Sequence, residues 1–160
     1  MSSSNVSSNL NNYIRIKIGE AKSKEEEDKA VTQDLEEVRL EILKPNLTDK
    51  AIWETILKII YADMLGHNTD FAHAFVVNSA QRPSYKVKRI AYLACIILLE
   101  PDSPFRIMMV ASLQKDLTHT CLYNKIIALN TLNKIICPLN ASAFIDGLMG
   151  QLASNHAVVR

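Results

Sequence analysis

Residues 48–66 read TDKAIWETILKIIYADMLG, residues 84–100 read SYKVKRIAYLACIILLE, and residues 120–136 read TCLYNKIIALNTLNKII. Each opens on a hydroxyl residue able to cap the first free N–H groups of a helix. Each then carries a dense apolar pattern at helical spacing and stops at a breaker, Gly66, Pro101 or Pro138. The starts at Thr48, Ser84 and Thr120 are 36 residues apart. Superposed at that spacing, Leu57, Leu93 and Leu129 share one position, and Ile60, Ile96 and Leu132 share the position three residues on. Such a match predicts one core ridge used three times.

Shorter helices are expected between the long ones, opening near Thr69, near Ser103 with Pro104 at the first helical position, and near Asn140. A helix pair repeating every 33 to 47 residues or so is the mark of armadillo and HEAT arrays, whose repeats bury their apolar faces only against neighbouring repeats. The predicted fold is therefore all-α, an α-solenoid of stacked helix pairs with a period of about 36 residues. The next start falls at residue 156, so residues 13–160 read as the N-terminal part of a helical-repeat trunk, cut as a further repeat opens. Upstream, SKEEEDKAVTQDLEEVRLEILK from Ser23 to Lys44 begins with the capping box Ser23 and Glu26. It gathers Glu25, Glu26, Glu27 and Asp28 at the positive end of the helix dipole, and Pro45 closes it. Residues 1–12, nearly all Ser and Asn, bury too little apolar surface to offset their ordering entropy and are expected to be a disordered tail.

Composition narrows the function. Among the 160 residues, 18 Lys and Arg face 17 Asp and Glu, so there is no positive excess of the kind that drives nucleic-acid binding. Four Gly, five Pro and 48% apolar residues favour helices over a turn-rich sheet protein. Cys95, Cys121 and Cys137 lack CxxC spacing and are expected to be reduced, buried packing residues of a cytosolic protein. No run approaches the roughly 18 apolar residues of a membrane span, and the first residues do not form a secretory leader.

The sequence holds no Gly-rich phosphate loop, HExxH, GxSxG or CxxC motif. No catalytic residue, metal ligand or cofactor-binding residue is assigned, and the chain is not expected to be an enzyme. His67 and His73, with Asp63 and Asp70 nearby, fit loop and capping roles better than a metal site. Arg82, Lys86, Lys88 and Arg89 form the one basic cluster, at a helix start. It is either a contact for anionic lipid or an acidic partner, or a solvated helix face. Trp53 and Tyr61 read as core or inter-subunit packing.

Five segments then carry a resemblance: SKEEEDK at 23–29, MLGHNTDF at 64–71, KRIAYLA at 88–94, QKDL at 114–117 and IALNTL at 127–132. In order and spacing they resemble the N-terminal trunk of the adaptins, the large subunits of heterotetrameric adaptor protein complexes, over roughly residues 15–160. The likeness is greatest to the epsilon type, with the gamma and alpha types close behind.

The resemblance implies a scaffold of vesicle coats that acts in intracellular protein transport and cargo sorting. It implies binding to a small sigma subunit, a beta-type large subunit, a medium subunit and an Arf-family GTPase. Sorting signals of membrane cargo are a further implied partner, with peripheral attachment to Golgi, trans-Golgi network or endosomal membranes. In alpha and gamma types an arginine ahead of the charged helix helps bind acidic dileucine signals. Gly19 stands there in this sequence, leaving Arg15, Lys17 and Lys22 as the candidate neighbourhood for that contact. The alternative is another cytosolic helical-repeat scaffold, such as a different coat subunit or a transport receptor.

Overall fold

The computed structural model describes residues 23–159. The Ser/Asn tail and the candidates Arg15, Lys17 and Lys22 lie outside them. Every regular element among the described residues is helical: α1 (Lys24–Glu41), α2 (Asp49–Met64), α3 (His73–Ser79), α4 (Tyr85–Leu98), α5 (Pro104–Leu117), α6 (Leu122–Ile135) and α7 (Ile145–Leu152). Short 3-10 turns at Asp70–Ala72 and Ala141–Phe144 lead into α3 and α7. The chain divides between Ala72 and His73 into two compact units.

In the first unit the predicted capping box begins α1, with Ser23 Oγ accepting from the Glu26 N–H at 3.2 Å. Thr48 Oγ1 caps α2 in the same way, accepting from the Ala51 N–H at 3.2 Å. Helix α2 ends in a Schellman motif. Gly66, at φ 90°, donates its N–H to the Asp63 carbonyl at 2.8 Å, and the His67 N–H reaches the Ala62 carbonyl at 3.1 Å. Val31 and Leu35 of α1 bury against Ala62 and Phe71. The Arg39 guanidinium covers the outer face of Phe71, 3.9 Å from the ring centroid.

In the second unit, α3 packs closely on α4 and α5 on α6, while the long α4 lies on the long α6 and α5 on both α3 and α7. Long helices thus stack on long and short on short, the two-layer packing of an α-solenoid. The closest pairing runs from each short helix to the long helix that follows it, whereas the sequence suggested each long helix with its shorter successor. Helix α6 starts one residue later than expected, with Cys121 rather than Thr120 at the N-cap. His119 Nδ1 accepts the N–H of Cys121 itself at 2.9 Å, and the first turn has no side-chain cap bond from its N-cap residue. Residues 153–159 contain turns.

The repeated core ridge exists, but on a different face from the one predicted. At the spacing of 36, the four sets Ile52, Lys88 and Asn124; Thr55, Ala91 and Ile127; Ile56, Tyr92 and Ala128; and Ile59, Cys95 and Thr131 are all buried. They stand at i, i+3, i+4 and i+7, a complete helical face. Of the expected ridge, Ile60 and Leu132 are buried, but Leu57, Ile96 and Leu129 are half-buried and Leu93 is exposed. The phase was misread because four of the twelve truly buried positions, Thr55, Lys88, Asn124 and Thr131, carry polar side chains. The leucines beside them drew the ridge onto the wrong side.

Candidate protein-docking face

Helix α4 is apolar almost all round, so one apolar stripe remains after its neighbours are covered. Tyr85, Leu93 and Ile97 are exposed, Leu93 at 47% of its surface, and with Arg89 they recur every fourth residue along one side. Tyr123 of α6, 63% exposed, extends the patch, its ring centroid 5.6 Å from that of Tyr85 with the planes tilted by 59°. Single exposed apolar residues are ordinary on a protein surface. Here Tyr85 with Tyr123 and Leu93 with Ile97 stand on the same side, with Arg89 between them.

On the side of α4 that faces α5 lies a buried polar cluster. Lys88 Nζ donates to Asp116 Oδ1 at 2.5 Å, and the Tyr92 hydroxyl donates to Asp116 Oδ2 at 2.6 Å. Lys88 is 5% exposed and Asp116 1%. Taking two charges out of water is costly, and here the cost is offset because both carboxylate oxygens receive donors. A cleft of about 220 Å³ lined by Gln81, Ser112 and Lys115 reaches the pair from one side. Burial pushes the Tyr92 hydroxyl far above the ordinary tyrosine range, and the adjacent Asp116 carboxylate adds to the shift, so this proton stays in place as a donor.

The structure therefore breaks up the basic cluster. Lys88 points inward and is paired, which removes it from any surface that contacts lipid. Lys86 and Arg89 are exposed, and Arg82 is half-buried and engaged with other groups. Asp116 was not singled out from the sequence as a site residue, although a signal was present. It sits at helical spacing from the buried Met109 and Leu113, and an acid in a core row implies a buried cationic or hydroxyl partner.

The two histidines considered for a metal are engaged separately. His67 Nε2 lies 3.5 Å from Asp28 Oδ1, and His73 meets the Phe105 ring edge-on at 5.7 Å. No group of three metal-binding side chains gathers among the described residues. Of the three cysteines only Cys95 is fully buried. Cys121 and Cys137 are partly exposed because they sit at the ends of α6 rather than inside it, which corrects the expectation of three buried thiols. No helix among the described residues is long and apolar enough to cross a membrane.

Stacked helix pairs of this kind define the class of α-solenoid repeat proteins. The Adaptin N terminal region family matches residues 27–160, and the chain belongs to that family. It is 32% identical over 143 residues to the AP-4 complex subunit epsilon of Arabidopsis thaliana, covering 89% of this chain and 15% of the relative. Against the human AP-4 complex subunit epsilon-1 it is 29% identical over 138 residues, covering 86% and 12%. The bovine AP-3 complex subunit delta-1 is more distant, at 24% over 152 residues, covering 95% and 12%. The chain thus spans about one-eighth to one-seventh of the length of these relatives.

Proposed function

We propose that this chain is trunk sequence of a large subunit in a heterotetrameric adaptor complex, acting as a non-catalytic scaffold for vesicle coats in intracellular protein transport and cargo sorting. The exposed stripe of Tyr85, Leu93 and Ile97, joined by Tyr123, is the observation that carries this reading. Its side chains are too large and too contiguous to remain in water when a partner subunit is at hand. The small sigma subunit is assigned to this face. A beta-type large subunit and a medium subunit complete the complex, and an Arf-family GTPase and the sorting signals of membrane cargo act on the whole. The names of the relatives, subunits of the AP-4 and AP-3 complexes, support assembly of this kind. The site of action is the cytoplasmic surface of Golgi, trans-Golgi network or endosomal membranes. Arg82, Lys86 and Arg89 remain the candidates for an anionic-lipid or acidic-partner contact. Arg15, Lys17 and Lys22 remain candidates for the neighbourhood of the sorting signal.

The reading is tested by co-expressing the chain with candidate sigma subunits and measuring stoichiometry by size-exclusion chromatography, with and without Leu93→Asp. One-to-one co-elution with one sigma type, lost on charging Leu93, is the expected result. Soluble, folded protein that binds none of them would redirect attention to other helical-repeat scaffolds.

A further inference from the structure

Helices α4 and α5 make little close backbone approach, in contrast to α4 with α3 and α6. Long polar side chains span the gap instead: Lys88 and Tyr92, one turn apart on α4, both end on the single carboxylate of Asp116. Stability alone does not account for this choice, because a well-packed apolar trio at such a site is generally as stable as a buried ion pair. What the polar trio supplies and an apolar one does not is geometry. Two donors fixed on two oxygens define the rotation of α4 about its axis.

The apolar residues by themselves specify that rotation poorly. Helix α4 carries Val87, Ile90, Ala91, Leu93, Ala94, Ile96, Ile97 and Leu98, so turning it by one residue, about 100°, exchanges one apolar face for another. The exposed stripe is tied to the clamp by sequence adjacency: Arg89 follows Lys88, and Leu93 follows Tyr92. An error in the clamp would therefore carry Leu93 away from the surface.

We propose that Lys88, Tyr92 and Asp116 are positioning residues for subunit docking, holding α4 in the one rotation that presents Tyr85, Leu93 and Ile97 together. This rests on the reading of that stripe as the face for the small subunit.

The test measures affinity of the full-length chain for the small subunit that co-purifies with it, alongside melting temperature. The triple variant Lys88→Met, Tyr92→Phe, Asp116→Leu is expected to melt within about 5 °C of the wild type and to bind at least about tenfold more weakly. A folded triple variant binding within about twofold of wild type, while Leu93→Asp abolishes binding, would overturn the positioning role and leave the docking face intact. Unchanged binding by Leu93→Asp would instead overturn the docking face and this inference with it. If the triple variant does not fold, Tyr92→Phe decides, since it keeps volume and the ion pair. Binding weakened about threefold in protein that is still fully folded at the assay temperature supports the clamp, and unaltered binding refutes it.

Discussion

The Lys88 ammonium and the Asp116 carboxylate, 28 residues apart in the chain, meet at 2.5 Å inside the second unit, where neither side chain has appreciable contact with water. Removing one partner leaves the other charged and buried. Asp116→Asn is expected to cost about 3 to 5 kcal/mol, whereas Tyr92→Phe, which loses one hydrogen bond and leaves the ion pair, is expected to cost only about 1 to 3 kcal/mol. Urea denaturation of the two variants side by side checks the order. Equal, small losses would mean that water already solvates the pair through the cleft beside Gln81 and Lys115.

Three glycines should respond to alanine in three different ways. Gly66 has open space where a Cβ would go, but its φ of 90° is one that L side chains rarely adopt, so Gly66→Ala is expected to destabilise by about 1 kcal/mol from backbone strain alone. Gly150 lies in α7 with nothing within 4 Å of the added carbon, and Gly150→Ala should stabilise by about 0.5 to 1 kcal/mol. At Gly147 the new methyl would stand 3.3 Å from Leu117 Cδ1, which should cancel most of the same gain. Thermal melts of the three variants make the comparison.

Burial pushes the Cys95 thiol up to about 12 from its ordinary 9.0, its own backbone N–H offsetting only part of the shift. Below pH 9 the thiol is protonated in both folded and unfolded chains and contributes no pH dependence. Between pH 9 and about 12 the unfolded chain releases the proton while the folded chain keeps it, so stability falls as pH rises. Comparing urea midpoints at pH 8 and pH 10.5 for wild type and Cys95→Val should show a shallower decline in the variant. In the native protein Cys121 and Cys137 should react with a thiol reagent and Cys95 should not.

Charge removal separates surface lysines from structural ones. Replacing Lys86 and Arg89 with glutamine should leave the melting temperature nearly unchanged, because both are exposed. If these residues touch anionic lipid, the chain free of the small subunit should, after their replacement, bind phosphatidylserine vesicles at least about threefold more weakly and with a flatter salt dependence. Unchanged vesicle binding would identify them as a solvated helix face. Lys88→Gln, in contrast, should act through stability.

Much of this architecture can be read directly from the chain. Ser23, Thr48 and Ser103 mark helix starts because their hydroxyls accept from local N–H groups, Ser84 stands at an N-cap without such a bond, and Gly66 marks a stop because the turn requires positive φ. The start at Cys121 lies one residue beyond Thr120 and has no side-chain cap bond from its N-cap residue, so no hydroxyl marks it in the sequence. The docking stripe was harder to locate. Leu93 looked like core because it aligned with Leu57 and Leu129, and Lys88 looked like surface because it was charged.

The sequence by itself determined the all-helical class, the period, most helix ends and the family likeness, since these depend on contacts within a few residues or on patterns repeated along the chain. Only the tertiary structure decided which side of each long helix faces inward. For α4 that choice involves Asp116 arriving from another helix to neutralise Lys88 and accept from Tyr92, and no local propensity encodes a partner 28 residues away.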